Sequence, residues 1–133
     1  MRDHVYLDSS ALVKLVVLEP ESGALRAFLR GHPSRLSSAL AEVEVPRALR
    51  RAGYGAAEQR RAATLLTHVV LVDVDRHVLR SAAALAPPDL RSLDAIHLAT
   101  ALALGQDLAG LVTYDQRLAD AAIDADVEVW SPG

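Results

Sequence analysis

The chain has 133 residues, of which 51% are hydrophobic and 23% are charged, and its formal net charge is −3. This balance predicts one globular domain, residues 1–133, and argues against a chain that binds nucleic acid through overall positive charge. There is no cysteine, which excludes disulfides, thiolate catalysis and cysteine-based zinc sites. The first residues have neither the apolar core of a signal peptide nor the length of a membrane span, so we predict a cytoplasmic protein.

Short apolar runs alternate with helical patterns along the chain. Strands are predicted at residues 4–7, 69–74, 111–114 and 127–130, with a weaker one at 35–37. Helices are predicted at residues 11–18, 23–30, 39–51, 56–67, 76–85, 91–102 and 116–123. Because the strands are apolar without polar alternation, they are typical of parallel strands that are covered on both faces. The pattern therefore predicts a three-layer α/β/α fold with a central parallel sheet of four to five strands.

The helix predicted at 91–102 is apolar nearly all round, which is typical of a buried helix. It carries one carboxylate, Asp94, in its first turn, and either Asp89 or Ser92 is predicted to cap it. A buried carboxylate costs free energy unless something compensates its charge. We therefore interpret Asp94 as a ligand for a metal ion.

Three further carboxylates map to the same edge of the predicted sheet. Asp8 and Asp115 each follow a predicted strand, and Glu42 lies near the start of a helix that follows another. Ligands bind parallel α/β sheets beyond the carboxyl ends of the strands. Crowded carboxylates repel one another, and Mg²⁺ or Mn²⁺, which prefer oxygen ligands, would relieve that repulsion. Such a site suits metal-assisted hydrolysis of a phosphodiester.

Each of these acids also has a simpler explanation. Asp8 and Asp115 can be helix caps, Glu42 an exposed helix residue, and Asp94 a partner of the helix dipole. His97, three residues after Asp94, is more simply explained as a structural histidine than as a ligand. It is the joint arrangement of the four acids that favours a metal site.

Two consecutive predicted helices carry five arginines: Arg47, Arg50, Arg51, Arg60 and Arg61. They can form a basic rim that binds phosphates or a solvated surface, and the sequence does not favour either. Pro46 lies inside the first of these helices and predicts a kink there.

Four segments, in order, resemble the four motifs of PIN-domain proteins. They are Tyr-Leu-Asp-Ser-Ser-Ala-Leu at 6–12, Ser-Ser-Ala-Leu-Ala-Glu-Val at 37–43, Leu-Asp-Ala-Ile-His-Leu-Ala-Thr-Ala at 93–101 and Val-Thr-Tyr-Asp-Gln-Arg-Leu at 112–118. The third is the most specific, and the chain length and motif order resemble the VapC toxins of bacterial toxin–antitoxin pairs. The resemblance implies a PIN-like fold and an Mg²⁺-dependent endoribonuclease.

The resemblance also assigns roles to residues and implies partners. Asp8 and Asp94 would be the most direct metal ligands, Glu42 would complete the site or assist the water, and Asp115 would hold a second ion or the water network. Ser9 and Thr113 would be supporting hydroxyls. The implied partners are an RNA substrate, a cognate VapB-like antitoxin whose C-terminal segment covers the site, and a second toxin molecule in a homodimer.

Three alternatives remain at this point. An aspartate-nucleophile phosphatase needs a second aspartate at the place of Ser10 and a lysine near the site, for which Lys14 is a poor candidate. A metal-free ribonuclease would use histidine acid–base chemistry and ignore chelators. A non-catalytic binding module would use the acidic pocket to hold an arginine-bearing partner.

Overall fold

The computed structural model describes residues 2–133 and contains a five-stranded, fully parallel sheet. Its strands are β1 (His4–Leu7), β2 (Arg35–Ser38), β3 (Val70–Val72), β4 (Leu108–Val112) and β5 (Val129–Trp130). They lie in the order β3-β2-β1-β4-β5. The helices in these residues are α1 (Ser9–Val16), α2 (Ser22–Leu29), α3 (Ala41–Arg51), α4 (Ala56–Leu66), α5 (Arg76–Ala83), α6 (Ser92–Leu102) and α7 (Gln116–Asp124). A short 3₁₀ turn, Gly105–Asp107, precedes β4.

The central strand β1 divides the hydrophobic core into two halves. Val5 and Leu7 pack on one face with residues of α1 to α4, whereas Tyr6 packs on the other with residues of α6 and α7. Successive side chains of a strand point to opposite faces, so a continuous apolar strand needs helices on both sides. The predicted three-layer fold is confirmed.

Several predicted boundaries differ from the structure. β4 begins at Leu108 rather than 111 because its pairing with β1 starts at His4 and Leu108. The helix α3 contains Pro46 and ends at Arg51, which is the predicted end. The N-cap residue of α6 is Arg91, and no side chain caps that helix, so the prediction of a cap from Asp89 or Ser92 is wrong. Within residues 2–133, no helix is long and apolar enough to cross a membrane.

Gly110 in β4 has no room for a side chain. A Cβ atom there would lie 2.4 Å from Cζ3 of Trp130 and 2.8 Å from the carbonyl oxygen of Glu128. We expect Gly110→Ala to lower the free energy of unfolding by about 1–3 kcal/mol, because the ring and the β5 backbone must both move. Thermal unfolding measures this. Gly23→Ala in α2 is the control, since nothing lies within 4 Å of the added Cβ, and equal unfolding temperatures for the two variants would contradict the packing.

Candidate active site

A cleft of about 420 Å³ lies at the carboxyl edge of the sheet. Four acidic side chains line it: Asp8, Glu44, Asp94 and Asp115. Three arginines also line it: Arg47, Arg51 and Arg91. The structure thus brings together three of the four predicted acids. A larger cavity, of about 560 Å³ between α5 and α6, is lined by apolar side chains and Ser92, and no charged side chain of the described residues lines it.

Asp8 is the most deeply buried of the acids, with 4% of its surface exposed. Its Oδ1 accepts hydrogen bonds from Ser10 Oγ at 2.6 Å and from the Ala11 amide at 3.0 Å, and its Oδ2 accepts one from Thr113 Oγ1 at 2.6 Å. Burial raises the pKa of Asp8, although these hydrogen bonds act to lower it. Asp8 is therefore both the cap of α1 and a fixed acid of the cleft.

Thr113 connects the ends of β1 and β4. While its hydroxyl donates to Asp8, it accepts a hydrogen bond of 3.0 Å from the Asp115 amide. Asp115 uses Oδ1 to cap α7 through the amides of Arg117 and Leu118, and no donor in residues 2–133 reaches its Oδ2. The hydroxyl therefore fixes the relative position of two acids, and one oxygen of Asp115 stays available.

Asp94 lies in the first turn of α6, and no hydrogen-bond donor in residues 2–133 reaches its carboxylate. Burial raises the pKa of Asp94, and the negative charges of Asp115 and Asp8 raise it further, against opposing effects of His97 and Arg91. In the described part of the chain, Asp8, Asp94 and Asp115 make no ion pair within 4 Å. Their mutual repulsion is thus not balanced by any close cationic side chain.

The donor chemistry of this cleft suits a hard divalent cation, since the acids and hydroxyls present oxygen atoms only. Among residues 2–133, however, no three acidic or histidine side chains are close enough to form a ready-made metal cage. Mg²⁺ is commonly bound by one or two carboxylates and completes its shell with water and substrate phosphate. The residues fit an ion of that kind, and they do not fit a site in which protein ligands fill the shell.

The structure corrects the assignment of the acid on α3. Glu42 is exposed and lies in a groove with Pro46 and Gln59, away from the cleft, and Glu44 takes the predicted position. The buried side of α3 carries Ala41, Val45 and Leu49. Residues two apart on a helix point about 200° apart, so only one of the two glutamates can face the cleft.

Glu44 is held by two donors on one oxygen. Ser9 Oγ donates to Oε1 at 2.6 Å, and His97 Nε2 lies 2.6 Å from the same atom. Burial acts to raise the pKa of Glu44, but the hydrogen bonds from His97 and Ser9 leave that pKa below its usual value. The Ser9 hydroxyl thus contacts an acid of the cleft, and His97 is buried, with 2% exposed.

The arginines divide in the same way as the glutamates. Arg47 and Arg51 lie one turn apart on α3 and line the cleft, whereas Arg50, predicted with them, does not. Arg60 and Arg61 on α4 also lie outside it. Sequence reasoning missed Arg91, whose only signal was its position three residues before Asp94.

Two apolar side chains of the cleft, Val43 and Leu93, are 58% and 48% exposed.

Comparison with known proteins decides the family. The family model described as PIN domain matches residues 5–124. Ribonuclease VapC46 of Mycobacterium tuberculosis is 54% identical over 128 residues, which cover 96% of this chain and 97% of that protein. The chain belongs to the VapC family of PIN-domain ribonucleases. Ribonuclease VapC35 of the same species is 42% identical over 133 residues, covering 97% of each chain.

Solved structures show that the VapC-family chain has the fold of its family. The crystal structure of Mycobacterium tuberculosis VapC20, a sarcin-ricin loop cleaving toxin, has a TM-score of 0.71 at 19% identity and covers 88% of this chain and 94% of that one. A toxin–antitoxin complex from Klebsiella pneumoniae has a TM-score of 0.72 at 22% identity, covering 97% and 98%. The resemblance based on four motifs is confirmed.

Proposed function

We propose that this protein is the toxin of a type II toxin–antitoxin pair and hydrolyses phosphodiester bonds within RNA, with Mg²⁺ or Mn²⁺ bound in the cleft. The observation that carries this proposal is the convergence of Asp8, Asp94 and Asp115 in one cleft without an ion pair to any cationic side chain of residues 2–133. Membership of the VapC family, whose relatives are named ribonucleases, supports it. The cleft is also partly basic, because three arginines line it.

Each acid has a role that follows from its position in the cleft and from the hydrogen bonds that its oxygen atoms accept. Asp94, with both oxygens free, and Asp8 would hold the ion, and Asp115 would hold a second ion or ordered water through Oδ2. A bound divalent cation would lower the pKa of a water molecule and stabilise charge on the phosphoryl oxygens.

Glu44 would orient the attacking water through Oε2, which no donor in the described residues occupies. Ser10 and Thr113 keep the Asp8 carboxylate in one orientation.

We also propose that Arg47, Arg51 and Arg91 bind the phosphates that flank the cleavage site, since they line the cleft beside the acids. We expect Arg51→Ala to raise KM for RNA several-fold with little change in kcat, and to reduce the slope of log affinity against log salt by about 1. Arg50→Ala removes an equal charge outside the cleft and is the control. Equal effects of the two substitutions would show that only overall charge matters.

The test of the activity uses purified cellular RNA and protein free of antitoxin. We expect discrete fragments in Mg²⁺ and intact RNA in EDTA, with activity restored when Mg²⁺ is added back. Cleavage that persists in EDTA would reject the metal and favour histidine acid–base chemistry. Capture of a partner protein by the cleft without any cleavage would favour the binding module.

VapC-family membership supports two protein partners for this chain, a cognate VapB-like antitoxin and a second toxin molecule in a homodimer. We propose that a C-terminal segment of the antitoxin covers the cleft and blocks access of RNA. The cleft combines arginines with exposed Val43 and Leu93, so it can receive a peptide that carries both acidic and apolar side chains. Loss of inhibition on truncation of that antitoxin segment is the expected result.

A further inference from the structure

A chain of short hydrogen bonds connects the core beneath the sheet to the cleft. The Tyr6 hydroxyl lies 2.7 Å from Nδ1 of His97, and Nε2 of His97 lies 2.6 Å from Oε1 of Glu44. Tyr6 and His97 are buried, with 0% and 2% exposed, whereas 21% of the Glu44 side chain is exposed at the cleft. Three elements, β1, α6 and α3, each contribute one member.

The chemistry of the members gives each hydrogen bond a direction. A tyrosine phenol ionises only at about pH 10, so the buried Tyr6 hydroxyl keeps its proton at neutral pH. A protonated Tyr6 hydroxyl donates to Nδ1, which leaves the ring proton on Nε2. Nε2–H then donates to the Glu44 carboxylate. The tyrosine thus fixes the tautomer that lets His97 act as a donor toward the cleft.

The Thr100 hydroxyl donates its proton to the Ile96 carbonyl oxygen, 2.6 Å away within α6, so it does not donate to Tyr6 or His97. The Tyr6 and His97 rings meet edge to face, with centroids 5.8 Å apart and an interplanar angle of 72°. Packing and hydrogen bonding therefore restrict the same imidazole ring. A ring held in this way restricts the carboxylate that it contacts.

Both donors to Glu44 use the same oxygen atom. Ser9 Oγ and His97 Nε2 each lie 2.6 Å from Oε1, and no donor in residues 2–133 reaches Oε2. We infer that His97, held by Tyr6, is a positioning residue that fixes Oε1 of Glu44 and leaves Oε2 free to orient the attacking water. This inference rests on the proposed nuclease function and adds two residues, Tyr6 and His97, to the site.

A purely structural role would connect α6 to α3 and nothing more. Substitution of His97 would then lower the stability of the protein, and the effect of that substitution on kcat would be the same whether or not Glu44 is present. A positioning role predicts the opposite, since His97 can affect the reaction only through the glutamate that it holds. The two roles are therefore separated by how substitutions of His97 and Glu44 combine.

The first experiment compares His97→Gln with His97→Asn. The amide nitrogen of glutamine can replace Nε2 as donor to Glu44, whereas asparagine reaches only the position of Nδ1. We expect His97→Asn to lower kcat by about 10–100-fold with little change in KM, and His97→Gln to recover most of that loss. His77→Asn is the control, because His77 is exposed on α5.

The second experiment is a double-mutant cycle with Glu44→Gln. We expect His97→Asn to lower kcat by less than about 2-fold further when Glu44 is already replaced. Independent, multiplicative effects, or equal losses in His97→Gln and His97→Asn, would overturn the inference. If His97→Asn does not fold, Tyr6→Phe keeps the ring and removes only the hydroxyl, and the cycle is run with that variant.

A measurement without RNA separates this inference from the proposed function. Imidazole nitrogen NMR of the wild-type protein should show His97 protonated at Nε2 and not at Nδ1. Its Nε2–H proton resonance should move in Glu44→Gln and stay in place in Glu42→Gln. The other tautomer, or a resonance insensitive to Glu44, would overturn the inference. An intact tautomer in a protein that cuts no RNA would instead reject the nuclease function.

Discussion

Asp94→Asn protein is expected to lose RNA cleavage by roughly 10²–10⁴-fold and yet to unfold at a higher temperature than the wild type. Activity falls because the substitution removes the carboxylate with two free oxygens, which we propose as a metal ligand. Stability rises because burial and the charges of Asp115 and Asp8 oppose ionisation of Asp94 in the folded protein. We expect a gain of about 1–3 °C, since the open cleft screens the repulsion.

The pH dependence of this gain follows from the sign of the pKa change. The pKa of Asp94 is higher in the folded protein than in the unfolded chain, so the wild type loses stability as pH rises from its unfolded pKa through its folded pKa. The difference between Asp94→Asn and wild type should therefore be full at neutral pH and should disappear below about pH 4, where Asp94 is protonated in both states. Thermal unfolding across this range measures it.

The control is Asp120→Asn, which removes an exposed charge on α7 outside the cleft. It should keep RNA cleavage and show no comparable gain in unfolding temperature. Added Mg²⁺ should raise the unfolding temperature of wild type more than that of Asp94→Asn, because ligand binding stabilises the folded state. A destabilised Asp94→Asn protein at neutral pH would contradict the electrostatic account.

Glu44→Gln and Glu42→Gln are expected to differ sharply, although the residues are two positions apart on α3. Glu44→Gln should lower kcat by roughly 10²-fold, because the carboxylate proposed to orient water is lost. Glu42→Gln should change kcat by less than about 2-fold, because Glu42 lies outside the cleft beside Pro46 and Gln59. Single-turnover cleavage of one mapped RNA site measures both.

The pair also differs in stability. The pKa of Glu44 is lowered in the folded protein, so its charge stabilises the fold above its unfolded pKa, and that contribution is lost as pH falls through the folded value. Glu44→Gln should therefore lower the unfolding temperature at neutral pH. A loss of activity in Glu42→Gln with full activity in Glu44→Gln would restore the assignment made from sequence and reject the one made from structure.

The layers of the fold and the family can be predicted from the order of amino acids alone. Apolar runs that alternate with helices are sufficient to predict a parallel sheet covered on both faces, because such strands must be buried on each side. The sequence also predicts that Asp8, Asp94 and Asp115 lie at one edge of the sheet. Residues that follow parallel strands lie at the carboxyl edge, and so do residues in the first turns of the helices that come next. The ends of strands depend on pairing between distant residues, such as His4 with Leu108, so local sequence does not determine them.

The face of α3 that meets the cleft is set by long-range packing and cannot be predicted from the sequence of the helix. Glu42 and Glu44 are equally plausible in the sequence, as are Arg50 and Arg51, because the rotation of a helix depends on how its apolar side docks. Burial of Val45 and Leu49 fixes that rotation and turns Glu44 and Arg51 inward. The contact between His97 and Glu44 joins residues 53 positions apart, and no local pattern encodes it. The acidic residues can be identified in the sequence, and the packing of the helices sets which of them line the same cleft.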